Sequence, residues 1–240
     1  MLQQKRILFF SDNPAIMDSL VAFADAQPWA DQVDLACSPG GPLDGRTSIA
    51  PVKLKDEASR IVNRYGIVIS GHCTQIFPAS MVRSILCVNL HPGYNPESRG
   101  WYPQVFSIIY GHRIGFTVHV MSEEVDAGPI ILREEVRTHI WDTSRTVYDR
   151  VVDAEIASIP RWLPSVIAGD FVTAPPEGPG NYFSKADFRD ACELSLSETA
   201  TFHEFYNRLR ATSHSPYRNT FFNDPETGRK VFLRLDVEIQ

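Results

Sequence analysis

Asn89 and His91 stand one residue apart at the end of the apolar run Ile85 to Leu90, immediately before Pro92 and Gly93. If that run is a strand, its alternation points both side chains to one side, and an amide donor and an imidazole can then address one reacting carbon together. In open α/β sheets the carboxyl ends of strands are where ligands bind. A lone histidine after a strand is also a common hydrogen-bonded turn residue, so the following segment carries weight. His91-Pro-Gly-Tyr-Asn-Pro-Glu-Ser-Arg-Gly-Trp-Tyr-Pro103 sets five Pro and Gly residues among aromatics and an Arg, between two hydrophobic segments. A loop so composed suggests a built site. Asp126 opens an Asp-x-Gly turn that ends at Gly128. Thr117 and His119 share one face of the strand before it and read as structural or supporting, as does His72 after Gly71.

The elements around these residues follow an α/β pattern. The run RILFF (residues 6–10) stops at Ser-Asp-Asn-Pro, and an amphipathic stretch from Ala15 to Ala26 follows, the strand, turn and helix of a Rossmann-like unit. Val33 to Ala36, Gly66 to Ser70 and Ile85 to Leu90 are further strands of a mostly parallel sheet, with Asp56 to Tyr65 a helix between them. Arg113 to Met121 and Pro129 to Val136 read as two strands joined by the polar turn 122–128, and a long helix is expected near Thr143 to Ala168. The dense Pro and Gly of Ala174 to Gly180 mark a linker. The expected division is a catalytic domain over 1–172 and a C-terminal annex over 173–240 that serves substrate binding and dimerisation. In the annex, Ser195-x-x-Glu198 fits a capping box, and Phe202, Phe205, Tyr206 and Leu209 recur at helical spacing. That apolar face must pack on something. The tail reads as a β-hairpin from Thr220 to Val237, apolar on both arms, which predicts pairing across a subunit boundary in a homodimer.

Composition excludes several classes. With 240 residues and 43% hydrophobic content, the chain can bury a substantial core. Its 23 basic against 29 acidic side chains give a net charge of -6, which argues against affinity for long nucleic acids but leaves room for a small anionic ligand held by local Arg. Cys37, Cys73, Cys87 and Cys192 have neither zinc-site nor disulfide-framework spacing. The N-terminal apolar run is too short for a signal peptide or a membrane span, so a cytoplasmic protein with no membrane partner is expected. After the first strand there is no G-x-G-x-x-G, which disfavours a dinucleotide cofactor.

The segment N-L-H-P-G-Y-N-P-x-x-R-G-W-Y-P-Q-V-F-S-I from Asn89, followed by D-A-G-P-I-I at Asp126 to Ile131, resembles the folate-dependent formyltransferases. The likeness covers about Ile67 to Val136 closely and extends loosely to 180–188 and 205–210. His91-Pro-Gly-Tyr-Asn-Pro96 stands where many relatives carry H-P-S-L-L-P, and this favours the sugar-nucleotide N-formyltransferases, dTDP-4-amino-4,6-dideoxyglucose among their substrates.

The resemblance implies transfer of the formyl group of N10-formyltetrahydrofolate to the amine of a dTDP-linked amino-dideoxy sugar for cell-surface polysaccharide of the O-antigen type, with no metal. The family triad falls on Asn89, His91 and Asp126. In that chemistry His91 accepts the proton of the attacking amine, Asn89 donates to the oxyanion, and Asp126 orients the imidazole or serves the leaving nitrogen. The folate would lie against Gln75, Ile76, Phe77, Pro78, Met121 and Asp126, mostly through main chain. The sugar nucleotide would meet Tyr94, Asn95, Arg99, Trp101 and Tyr102, with Asn181, Tyr182, Lys185, Arg208 and Tyr217 from the annex. A formyltetrahydrofolate hydrolase has no need of the aromatic and Arg-rich loop. Methionyl-tRNA formyltransferase needs a basic RNA-binding domain that this annex does not supply, and a non-enzymatic nucleotide-binding module has no reason to keep the triad.

Overall fold

The computed structural model describes residues 6–178 and 180–239. Its elements run β1 (Arg6–Ser11), α1 (Pro14–Asp25), β2 (Val33–Cys37), β3 (Ala50–Pro51), α2 (Leu54–Arg64), β4 (Tyr65–Gly71), α3 (Ala79–Ser84) and β5 (Leu86–His91). They continue through β6 (Arg99–Gly100), α4 (Pro103–Tyr110), β7 (Gly115–Val120), β8 (Ile130–Glu135), α5 (Ser144–Ala168), β9 (Tyr182–Phe183), α6 (Lys185–Cys192), α7 (Phe202–Thr212), β10 (Phe221–Asn223) and β11 (Lys230–Phe232). Among the described residues no helix is long and apolar enough to cross a membrane.

The main sheet has the order β3-β2-β1-β4-β5-β7-β8. The first five strands are parallel, and β7 and β8 join antiparallel. This is the α/β, Rossmann-like arrangement that the apolar runs imply. Both faces of β1 are buried, so its alternation serves two cores: Ile7 and Phe9 pack with α1 and α5, while Leu8 and Phe10 pack with α2 and α3. Burying each of these two phenylalanines is worth about 1.5–3 kcal/mol.

From β1 the chain runs outward through β2 and β3 and returns on the other side at β4, so the carboxyl ends of β1 and β4 meet at a switch point. Asp12, 8% exposed, ties that edge together. Its carboxylate accepts from the Ser38 and Thr74 backbone N–H groups and from both their hydroxyls, all at 2.7 Å. The ends of β1, β2 and β4 are thereby locked to one another.

Two expectations for the annex are corrected. The cap of α7 is Thr201, whose hydroxyl accepts from the Glu204 N–H while the Glu204 carboxylate accepts from the Thr201 N–H; Ser195 and Glu198 instead close a short turn. Both pairs have the S/T-x-x-E pattern, and only the second sits at the helix start. The apolar stripe of α7 is not turned inward either. Asn207, Arg210, Ala211 and Thr212 are buried, Phe202 is 84% exposed and Phe205 38%. The Arg210 guanidinium explains the inversion, since it donates to the carbonyl of Asp142 and to Asn207.

The Pro- and Gly-rich segment is strapped to the catalytic part. Ala174 exchanges both backbone hydrogen bonds with Ile130, the Asn181 N–H donates to the Pro96 carbonyl, and β9 pairs with β6.

Candidate active site

Position in the sheet brings the three chemical residues together. Asn89 and His91 point the same way from the end of β5, as alternation requires, and β7 lies beside it in a register that pairs Asn89 with His119 and His91 with Thr117. Asp126 comes from the turn between β7 and β8. Its backbone is left-handed (φ 52°), and a Cβ on Gly128 would lie 1.7 Å from the Val120 carbonyl oxygen, so the turn closes only with glycine there. The Asn95 amide donates to the Asp126 carbonyl at 2.8 Å and fixes the turn from the far side.

The Asp126 carboxylate sits at the hub. It accepts from Asn89 Nδ2 at 3.3 Å and from the Gly100 N–H at 3.1 Å, with His119 Nε2 at 3.5 Å and His91 Nδ1 at 3.6 Å. Burial alone would raise this carboxyl, yet His91, His119 and the Gly100 N–H together hold it below the usual carboxylate range. His91 is 5% exposed, and burial drives its imidazole down to about 4, against the pull of Asp126. At neutral pH the ring is therefore a free base. Its Nε2 has no hydrogen-bond partner among the described residues, and a Cβ on Gly93 would come within 2.4 Å of it, so glycine leaves the room in which that nitrogen sits.

These residues line a cavity of about 430 Å³, within the range of small-molecule sites. Its walls come from the 72–77 loop, from Met121 to Asp126, from Gly100 to Val105, and from Ser144, Arg145 and Tyr148 at the start of α5 together with Thr212, His214, Tyr217 and Asn219 of the annex. Cys73 is in the wall, but burial pushes its thiol up to about 12, so it supplies no thiolate nucleophile.

Of the residues expected to meet folate, Gln75, Ile76, Phe77, Met121 and Asp126 line the cavity, while Pro78 lies behind it as the residue preceding α3. The Gln75 side chain is committed to structure, donating to Ser38 Oγ and the Val52 carbonyl and accepting from the Leu54 N–H. Of those expected to meet the sugar nucleotide, Trp101, Tyr102 and Tyr217 line it.

The other expected sugar-side residues are engaged elsewhere. Arg99 is 8% exposed and donates to Glu124 at 2.7 Å and to the Asn181 carbonyl. Asn95 is fully buried, and its N–H donates to Thr117 Oγ1. The Tyr94 ring lies between the guanidinium groups of Arg113 and Arg133, at 4.4 and 4.5 Å. Asn181 accepts from the Ser98 N–H, and Tyr182 pairs with Arg99 through backbone. Arg208 caps the end of α6 by donating to the Ala191 and Glu193 carbonyls. Lys185 places its ammonium 3.8 Å from the centre of the Trp101 ring and is not among the described cavity-lining residues.

Residue pattern alone carries no signal for Arg145, the single Lys or Arg among the described cavity-lining residues, nor for Tyr148. Both lie in a long helix whose periodicity looks like that of any core helix.

Comparison with known proteins gives the class first. Residues 48–163 match the Formyl transferase family, and residues 187–239 match the N-formyltransferase dimerization C-terminal domain. The chain is 39% identical to the dTDP-4-amino-4,6-dideoxyglucose formyltransferase of Mycobacterium bovis over 232 residues, 97% of its own length and 96% of the relative's. It superposes with a TM-score of 0.92 and 37% identity on a 4-N formyltransferase from Francisella tularensis, covering 99% of each chain. With a sugar N-formyltransferase from a Shewanella species the TM-score is 0.90 at 33% identity, over 99% of this chain and 100% of the other. The chain belongs to the formyltransferase family, among its sugar N-formyltransferases.

Proposed function

We propose that the protein transfers the formyl group of N10-formyltetrahydrofolate to the amine of a dTDP-linked amino-dideoxy sugar, with dTDP-4-amino-4,6-dideoxyglucose as the acceptor. The observation that carries this reading is the convergence of Asn89, His91 and Asp126 on the wall of one cavity in a chain 39% identical, over nearly its whole length, to an enzyme named for that sugar.

The mechanism follows from the groups present. The folate rests between the 73–78 and 121–126 segments, with Ile76, Phe77 and Met121 offering apolar surface and Gln75 holding the first segment rigid from behind. The amine attacks the formyl carbon, and the oxygen of that carbon takes on negative charge. Asn89 donates its amide N–H to this oxyanion, a contact whose loss typically costs on the order of a hundred- to a thousand-fold in rate. His91, already neutral, accepts the proton of the attacking amine, and the ionised Asp126 stabilises the imidazolium so formed. Return of that proton to N10 releases tetrahydrofolate. His119 reaches Asn89 at 3.4 Å and Asp126 at 3.5 Å, and it positions both.

On the acceptor side, Trp101, Tyr102 and Tyr217 provide aromatic surface. Arg145, whose guanidinium pairs with Asp149 at 2.8 Å on the exposed side of α5, lines the cavity where Arg99 and Arg208 do not, and it is the cation for the diphosphate. The family matches at 48–163 and 187–239 fall on either side of residue 172 and support a catalytic domain over 1–172 and an annex over 173–240. The annex makes a homodimer: the matched C-terminal domain is a dimerization domain, and Leu196, Phe202, Phe205, Val231 and Phe232 leave large apolar surface exposed on the single chain. The enzyme works in the cytoplasm, which suits cysteines that are all unpaired.

Incubation with formyltetrahydrofolate and a panel of dTDP-, UDP- and GDP-amino sugars should yield one product heavier by a formyl group, with the dTDP-4-amino sugar preferred. Release of free formate with no sugar modified would assign the site to hydrolysis instead.

A further inference from the structure

The cavity wall holds His72, which the mechanism above does not use, and its partner is the buried carboxylate of Glu155. His72 follows β4 with a left-handed backbone (φ 54°), a conformation that persists in a non-glycine residue only where its surroundings impose it. Its Nε2 lies 2.7 Å from Glu155 Oε2, and its Nδ1 lies 2.8 Å from the Tyr148 hydroxyl. Glu155 has no exposure, and its other oxygen, Oε1, has no hydrogen-bond partner among the described residues. A buried carboxylate satisfied on one side only is expensive to keep. Asn13 Nδ2 donates to the Tyr148 oxygen at 3.0 Å. With Nε2–H donating to Glu155, the lone pair of Nδ1 accepts from Tyr148, so the chain Glu155, His72, Tyr148 has a defined direction for proton movement.

The proposed reaction leaves this chain a task. An amino sugar meets neutral water largely as an ammonium ion, and it must lose one proton before its nitrogen can attack. His91 serves the attack itself, and burial makes it a poor acceptor from a resting ammonium. His72 and Tyr148 line the same cavity as Asn89, His91 and Asp126, and His72 is near enough to influence the charge on His91. His72, Thr74 and Tyr148 also line a neighbouring cavity of about 410 Å³ with Asp12, Asn13, Pro14, Gly41 and Pro42. The relay therefore forms the partition between the reaction cavity and a second opening.

We propose that Tyr148, His72 and Glu155 are a proton relay that converts the bound ammonium to the free amine and passes its proton out of the site; this rests on the proposed acceptor being an amine. In the step, an N–H bond of the ammonium breaks as an O–H bond forms at Tyr148. The original Tyr148 O–H bond breaks as an N–H bond forms at His72 Nδ1. The products are a neutral amine and an imidazolium paired with the Glu155 carboxylate. The charge then leaves as a proton through the second cavity.

Burial pushes the Tyr148 hydroxyl up to about 12, with Glu155 and Asp149 raising it and Asn13 and Arg145 opposing, so it stays protonated and able to hand on a proton. The charged and titratable groups around the relay are thus Glu155, Asp149 and Arg145 on α5, His91 on β5, and Asp12 beyond β1.

The test is kcat/KM for the amino-sugar nucleotide against pH in the wild type, Tyr148→Phe and Glu155→Gln. Both variants should fall about 100-fold near pH 7 and return to within a few-fold of wild type near pH 9.5, where the amine arrives unprotonated. Melting temperature and tetrahydrofolate binding check that the variants fold; if Glu155→Gln does not, Tyr148→Phe decides alone. Variant profiles parallel to wild type at every pH, whether lowered or not, overturn the relay. Absence of formyl transfer by the wild type at all pH values overturns the proposed function instead.

Discussion

At the scale of single residues, the chemistry depends on His91 being kept neutral in a place water barely reaches. Two consequences can be measured. Because the folded imidazole sits at about 4 and an unfolded one near 6.5, the unfolded chain binds more protons between those values. The stability that His91 contributes is therefore complete above about pH 6.5 and is lost as the pH falls toward 4, by about 3 kcal/mol in all. Chemical denaturation at pH 7 and pH 5 should show this loss in the wild type and a shallower one in His91→Asn. The same substitution should leave the protein folded at neutral pH and lower kcat by about a thousand-fold or more. The acid limb of kcat/KM that reports on His91 should lie well below 6.5, and a limb at the ordinary histidine value would contradict the burial.

Residue types read along the chain carried the site only in part. Asn89 and His91 were legible because strand alternation is a local rule. Arg99 was misleading for a physical reason: a guanidinium fork fits a carboxylate as well as a phosphate, and Glu124, 25 positions away, takes it first. His72 reads in the sequence as no more than structural or supporting, because its partner Glu155 is 83 residues distant and reaches it only through the packing of α5 on the sheet.

At the scale of elements, the strands were the most legible part, since buried parallel strands are short apolar runs bounded by turn residues. Less legible were the short pieces such as β6 and β9, which have no periodicity and exist only because they meet each other. The turn between β7 and β8 gives a sharp test. Gly128→Ala puts a methyl group into the Val120 carbonyl, so the turn must open and carry Asp126 away. We expect a melting temperature lower by several degrees and a loss of turnover larger than the loss of stability explains, read from kcat on the folded fraction. The cap of α7 gives another. Thr201→Ala should destabilise the annex by about 1 kcal/mol, while Ser195→Ala should leave it within a few tenths. Equal effects would return the cap to Ser195.

At the scale of the whole molecule, the inverted α7 is the informative element. Periodicity correctly located the helix but could not tell that its buried side is the polar one, because Arg210 and Asn207 find buried carbonyl and amide partners that only the folded chain supplies. The stripe left outside, with Phe202 at 84% exposure, and the exposed hairpin residues Val231 and Phe232 are the apolar surface on which the proposed homodimer rests. Phe202→Glu combined with Phe232→Glu should convert the proposed dimer to a monomer by sedimentation while each chain keeps its cavity; a dimer that survives both changes would place the contact elsewhere.

The strap from Ala174 to Phe183 bears on how this chain could be edited. Its Pro and Gly content makes it look like the place to insert a tag, cut the chain or swap in another annex. Yet Gly180 lies against the Pro96 backbone with no room for a Cβ, and β9 holds the strand from which the Gly100 N–H reaches Asp126. A few extra residues there would slip the pairing and move a hydrogen-bond donor of the catalytic carboxylate. The segment that looks most permissive on the page is therefore, by its contacts, among the least tolerant of insertion.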